Sequence, residues 1–371
     1  MIPARRFGNL LGHARTLLAL SRALDEDRLS PALLLHGPAG VGKLTAALEL
    51  ARELLCLSGS VPACGRCDSC RRVSASALLH PDVGLLFPQK KEDASEKVED
   101  DTPGGALDLQ AIQEETRKNP TWRILAEPAR ERLSRLFLSP SGGKRRLLLV
   151  LAAERLNEEA GNALLKVLEE PPRSATLLLL CENPAVLLPT LRSRCQAYRF
   201  GSLSRKDLAL FLDRDPALPR DQAALIASLS GGRIGRARSL AQDVEDYRGR
   251  RAHLARILSR AREQGSAAAA LAAAAGVLSL KADLQEELSI LADFLRDGML
   301  SGCGCNPGLL TDPAPATGEA PALFTPRQAA ALLVRLEKAR EDLRRFVNRQ
   351  VAVESLFLDL VNPPTALRLI E

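Results

Sequence analysis

The chain has 371 residues, 46% hydrophobic, 26% charged and only 3% aromatic, with a formal net charge of +6 and a pI near 9.0. That length allows two or three domains with separate cores of Leu, Ala and Val, and the longest weakly polar run, Ala267–Leu280, falls short of the ~20 residues of a membrane span. The mild basic excess permits nucleic-acid contact without requiring it, and so few aromatics exclude base stacking as a major mode.

No apolar core follows Met1-Ile2-Pro3-Ala4-Arg5-Arg6, so no secretory signal is expected and a cytoplasmic protein is. Eight cysteines in such a compartment point to a metal site before a disulfide framework.

The first element is a short buried strand at Leu33-Leu34-Leu35. It runs into Gly37-Pro38-Ala39-Gly40-Val41-Gly42-Lys43-Leu44-Thr45, a phosphate-binding loop. A helix is expected over Val41–Leu55, with Leu44, Leu48, Ala51 and Leu55 on one face. In such a loop the glycines let amides close on phosphates, Lys reaches the β and γ oxygens, and the next hydroxyl holds Mg²⁺. Gly37, Gly40, Gly42 and Lys43 are in place, but Leu44 stands where the hydroxyl belongs and Thr45 comes one residue late. ATP or ADP binding without hydrolysis stays open, because phosphate affinity rests largely on the amides and Lys43.

Cys56, Cys64, Cys67 and Cys70 follow in the pattern C-x7-C-x2-C-x2-C. Four thiolates at turn-compatible spacing suit tetrahedral Zn²⁺, and with no ligand position left open the site is structural. An iron–sulfur cluster is the rival, but its usual run ends in Cys-Pro, which this sequence lacks. Arg66, Arg71 and Arg72 offset part of the thiolate charge.

Lys90–Gly105 is acidic and poor in apolar residues, and reads as a flexible insertion. Leu147–Leu151 is a second strand, entered through the basic turn Gly142–Arg146. A helix over Glu158–Glu170, stopped by Pro171-Pro172, and a third strand at Thr176–Cys181 complete an alternation that predicts a parallel sheet with helices on both faces. An ATPase needs acids at the end of the second strand to hold Mg²⁺ and polarise water. Leu151 and Ala152 occupy those positions, and Glu154 lies two or three residues too far on.

Beyond residue 201 the pattern is helical. Short helices are expected at Ser204–Leu212, Asp221–Leu229 and Gly235–Leu240, and longer ones at Asp243–Gly265, Ala267–Leu300 and Pro326–Leu360. Ser301–Leu323 reads as a long loop, within which Cys303 and Cys305 lack partner ligands. The fold class is therefore α/β followed by all-α.

Asn162-Ala163-Leu164-Leu165-Lys166-Val167-Leu168-Glu169-Glu170-Pro171-Pro172 resembles a signature of bacterial clamp-loader subunits. Leu188–Cys195, with Ser193-Arg194-Cys195, resembles their interface motif, and Asn348–Leu360 is similar to their last helix. The resemblance implies a RecA-like AAA+ domain at 1–201, with a zinc module at about 56–72 and the insertion at 90–105. It further implies a helical lid at 202–242 and a C-terminal collar at 243–371 that joins a hetero-pentamer. Gly235 stands at the lid's sensor 2 position, with Arg236 one residue away.

The same resemblance implies gamma/tau-type ATPases and a delta-type wrench as partners, and no membrane. The sliding clamp and primer-template DNA are reached through the complex. Arg194 then acts in trans on a neighbour's ATP, where a planar, permanently charged guanidinium stabilises developing phosphate charge. No ATPase activity of the chain's own is expected. Two alternatives remain: a motor-type ATPase in which Glu154 replaces the missing acids, and a zinc-dependent DNA-binding module with a relic loop.

Overall fold

Short apolar runs bounded by turns become the strands, and amphipathic stretches become the helices that cover them. The computed structural model describes residues 6–7, 10–90, 107–142, 145–213, 218, 220–279, 284–305, 323–344 and 348–363. The chain divides into two compact units, Met1–Leu208 with Gly232–Gly235, and Ala209–Gly231 with Arg236–Glu371. All but Lys90 of the acidic stretch 90–105 lies outside the described residues.

The first unit runs α1 (Ala14–Asp25), β1 (Ala32–His36), α2 (Lys43–Leu55), α3 (Asp68–Arg72), β2 (Val83–Leu86), α4 (Leu109–Lys118) and α5 (Ala126–Arg135). It continues with β3 (Arg146–Val150), α6 (Glu158–Glu169), β4 (Ala175–Cys181), α7 (Pro189–Ser193) and β5 (Gln196–Arg199). The strands form one five-stranded parallel sheet in the order β2-β3-β4-β1-β5. β1 lies in register with β4, Leu34 opposite Leu179 and His36 opposite Cys181.

Every residue of β4 is buried, as a central strand covered on both faces requires. Alternate side chains of β1 feed two cores. Leu33 and Leu35 join Leu48, Leu50 and Leu55 of α2 on one face. Ala32 and Leu34 join Leu164 and Leu168 of α6 on the other. Each fully buried leucine contributes about 1.5–3 kcal/mol, so these layers dominate the unit's stability.

The second unit is helical. α8 (Arg205–Leu212) and α10 (Ile234–Gln242) span the points of division; α9 (Arg220–Leu229), α11 (Val244–Gln264), α12 (Ala267–Leu278), α13 (Leu284–Gly302), α14 (Pro326–Arg344) and α15 (Arg349–Val361) complete it. α12 packs on α15, α13 on α14, and α11 against α12, α13 and α15. Leu258, Ala270, Leu295, Leu336 and Leu360 are fully buried among them.

The expected continuous helix over Ala267–Leu300 is two helices. α12 stops at Leu278, where the Ser279 hydroxyl donates to the Gly276 carbonyl and competes with the helix ladder. Pro326–Leu360 is likewise divided. Asn348 caps α15, its side chain accepting from the Gln350 amide. The helix after the phosphate loop starts at Lys43, two residues later than periodicity suggests, because Gly42 adopts φ 102°. Arg146 belongs to β3 and not to the basic turn that precedes it.

Candidate functional sites at the phosphate loop, the cysteine cluster and Arg194

The phosphate loop joins the C-terminal end of β1 to α2, where a parallel sheet opens a crevice. Gly37, Gly40 and Gly42 all have positive φ, at 142°, 73° and 102°. The Gly37 amide donates to the Cys181 carbonyl at 3.1 Å, which ties the loop to the end of β4. Lys43 folds over the loop and donates to the carbonyls of Gly37 and Pro38, the latter at 2.8 Å. Leu44 packs against the core beneath, and Thr45 is exposed on α2. The residue at the metal-hydroxyl position is thus an apolar, partly buried side chain packed on the core.

The strand ends beside the loop are equally altered. Leu151 is 2% exposed and Ala152 takes a left-handed turn at φ 50°. The chain then makes one 3-10 turn, Ala153–Arg155, which carries Glu154 back toward β4. A Glu154 carboxylate oxygen accepts from the Glu182 amide at 3.3 Å. Burial pushes the Glu154 carboxyl up, with the Glu182 charge adding to it. Burial lowers the Lys43 ammonium, while Glu182, Glu154 and the Cys181 thiol oppose that shift. The lysine therefore lies in the field of two carboxylates of its own chain while its ammonium bonds the loop carbonyls. Glu182 was not singled out by sequence reasoning; it follows an unbroken apolar strand and acquires meaning only from the register of β4 with β1.

Gly235 lies directly on the loop. Its amide donates to the Gly40 carbonyl at 2.9 Å, and a Cβ there would stand 3.2 Å from the Gly40 Cα. In the second unit Arg236 is bound to Asp293 of α13 and lies 5.8 Å from the Tyr247 ring centroid. The Tyr247 hydroxyl donates to the same Asp293 carboxylate at 3.1 Å. Arg236 is thereby committed to a partly buried ion pair.

Cys56, Cys64, Cys67 and Cys70 converge, their sulfurs all within 4.8 Å of one another. Four thiolates ~2.3 Å from a tetrahedral ion lie about 3.8 Å apart. The Cys56 and Cys64 sulfurs are 3.7 Å apart, so the donor set fits such an ion. The Cys64, Cys67 and Cys70 amides donate to the sulfurs of Cys56, Cys64 and Cys67 at 3.5, 3.3 and 3.4 Å. With Ser58 as the leading donor, hydrogen bonding holds the Cys64 thiol at about 5, while burial pushes Cys70 up.

A polar relay that sequence reasoning missed anchors this module. The Asp82 amide donates to His80 Nδ1 at 3.1 Å, so Nε2 carries the proton toward Ser69 at 2.9 Å. The Ser69 hydroxyl then donates to the Leu55 carbonyl at 2.7 Å. Arg52 reaches the Val73 carbonyl at 2.9 Å.

Arg194 caps the C-terminus of α7 and is exposed, with 37% of its side chain accessible. One terminal nitrogen donates to the Thr190 carbonyl at 3.2 Å, the other to Glu169 at 3.0 Å. Ser193 donates to the Thr190 carbonyl at 3.0 Å and shapes the same turn. Burial raises the Cys195 thiol to about 11, in keeping with packing and not reactivity. The basic residues Arg145 and Arg146 have structural partners: Arg145 lies 3.6 Å from Asp27, and Arg146 donates to the Leu138 and Ser139 carbonyls. Among the described residues no helix is long and apolar enough to cross a membrane.

A parallel five-stranded sheet with a glycine-rich loop of the phosphate-binding pattern after β1, and helices on both faces, defines a doubly wound α/β protein. The family model described as "DNA polymerase III, delta subunit" matches residues 12–204, more than half of the chain, and the chain belongs to that family.

Relatives include DNA polymerase III subunit delta' of Bacillus subtilis, 31% identical over 58% of this chain and 55% of that protein. The delta' subunit of Pseudomonas aeruginosa is 32% identical over 54% and 52%. The gamma/tau subunit of Mycobacterium tuberculosis is 31% identical over 56% of this chain and 31% of that protein. The chain thus spans about half the length of the delta' relatives it matches. Among solved structures, Thermotoga maritima RuvB is 17% identical over 65% of this chain and 64% of that one, with a TM-score of 0.40.

Proposed function

We propose that this chain is a delta-prime-type subunit of a bacterial DNA polymerase III clamp loader, silent as an ATPase, that supplies Arg194 to a neighbour's ATP. Sequence relationship alone does not choose between this role and that of a motor, since delta' and gamma/tau relatives lie at similar identity. The site chooses. Leu44 packs on the core and Leu151 is buried, so both metal-holding positions are apolar, whereas Arg194 stands exposed at a helix end. That contrast carries the reading.

In this reading ATP sits on an adjacent gamma/tau-type subunit, and the Arg194 guanidinium stabilises charge developing on its γ-phosphate. The chain forms a hetero-pentamer with those ATPases and a delta-type wrench, and meets the sliding clamp and primer-template DNA through the complex. A RecA-like domain at 1–201, a lid at 202–242 and a collar at 243–371 give it the three parts of such a subunit. Cys56, Cys64, Cys67 and Cys70 hold a structural Zn²⁺, which ties the end of α2 to α3. Any ATP or ADP taken by Gly37, Gly40, Gly42, Lys43 and Thr45 is not hydrolysed.

Reconstitution with the partner subunits tests the reading. Arg194→Ala should sharply lower DNA-stimulated ATP hydrolysis by the complex while leaving assembly intact. Unchanged hydrolysis would remove the trans arginine, and with it the proposed role. ATP turnover by the purified chain alone, lost in Lys43→Ala, would favour the motor reading instead.

A further inference from the structure

We propose that Glu169 is a positioning residue for Arg194, holding the guanidinium ready for the neighbouring nucleotide; the inference rests on the trans role proposed above. Glu169 is the last residue of α6, and Pro171-Pro172 stops the chain from continuing that helix. A carboxylate there meets the negative end of the helix dipole, an unfavourable place without a compensating cation. Glu170 follows at once and adds to the negative charge. The compensating cation is Arg194, 3.0 Å away on α7.

The two helices are also held together nearer the start of α6. Leu188 and Leu191 at the start of α7 pack over Gly161 of α6, and Leu191 is buried. Glu169 is therefore fixed in relation to the turn that carries Arg194.

The geometry suits positioning. Arg194 uses one N–H of each terminal nitrogen on its own chain, toward the Thr190 carbonyl and the Glu169 carboxylate. A guanidinium has five N–H donors in a fixed fork, so three remain for an external phosphate. A long side chain free in solvent would lose rotamer freedom on engaging that phosphate; one already tethered at two points loses less. Because the pair is partly exposed, phosphate oxygens can add to it without first displacing a buried contact.

The test uses the reconstituted complex and reads both kcat and KM for ATP. Glu169→Ala should lower kcat about five- to tenfold with KM unchanged, the signature of an interaction acting in the transition state. Glu169→Gln, which keeps the shape and one acceptor without the charge, should fall between wild type and Glu169→Ala. In an Arg194→Ala background, Glu169→Ala should add no further loss, because its effect passes through the arginine.

An equal loss in that background would mark Glu169 as merely structural, and an unchanged or increased kcat in both single Glu169 variants would also overturn the inference. If Arg194→Ala itself has no effect, the trans role fails first, so the two failures are distinguishable.

Discussion

The phosphate loop and the edge formed by α6 and α7 lie in the same unit and are built in opposite ways. At the loop the glycine backbone of a phosphate site is present and the metal-holding positions are apolar. Gly37, Gly40 and Gly42 have positive φ values, but Leu151 belongs to the core, Leu44 packs on it, and Lys43 lies in the field of Glu154 and Glu182. At the edge the side chain is kept and little else is needed. Arg194 is exposed, and its two tethers are a helix-end carbonyl and a carboxylate. A site that must bind metal, nucleotide and water needs several polar groups at once, so a few apolar substitutions end it. A site that lends one cation to a neighbour needs only that cation and its support.

The largest expected effect separates the two regions directly. In a reconstituted complex, Arg194→Ala should slow the ATP site it faces by about 10³-fold. Lys43→Ala should leave that turnover within about twofold of wild type. Single-turnover hydrolysis with each variant reads the difference; a reversed order would place the chemistry at this chain's own loop.

Metal removal should touch neither region's contribution. Cys67→Ser should abolish stoichiometric zinc by elemental analysis and cost about 4 kcal/mol or more in chemical denaturation. The ratio between the Arg194 and Lys43 variants should survive in whatever folded protein remains. Full zinc content in Cys67→Ser would exclude the four-cysteine site.

A smaller effect tests the position where a hydroxyl would stand. Leu44→Ser restores the group but withdraws a side chain packed on the core, which should cost about 1–2 kcal/mol. No hydrolysis by the isolated variant should appear, since Leu151 and Ala152 still supply no acid. Measurable turnover would show that the hydroxyl alone was missing.

The smallest effect is a dependence on pH. His13 donates to the Val41 carbonyl at 2.9 Å beside the loop, and His80 lies in the relay under the cysteine module. Burial lowers both imidazoles from 6.5. Below 6.5 the unfolded chain therefore binds more protons than the folded one. Stability should be level above about pH 6.5 and decline as pH falls, by at most ~1.4 kcal/mol per pH unit for each histidine. Urea titrations from pH 7.5 to 5 measure the slope, which His80→Gln should reduce. A slope of the opposite sign would contradict the neutral buried state.

Much of the fold was legible in the sequence where burial is total. The strands β1, β3 and β4 and the helix α6 are apolar or periodic enough to announce themselves. β5 was not read, because Gln196-Ala197-Tyr198-Arg199 buries only its tyrosine at a sheet edge. β2 was missed because four residues containing a glycine carry little pattern. The long helical readings failed at Ser279 and Asn348, whose side chains bond the backbone locally and end or start helices inside otherwise helical sequence.

The sequence by itself determined the phosphate-loop frame, the missing metal ligands, the four-cysteine cluster and the motif containing Arg194. Each is a matter of residue type at short spacing, and local chemistry is written in the chain directly. Only the tertiary structure decided that Lys43 lies in the field of Glu154 and Glu182, and that Arg236 is committed to Asp293. It also decided that Glu169 meets Arg194. Those partners are separated by tens of residues, and only the register of β4 with β1 and the packing of helix on helix bring their charges together.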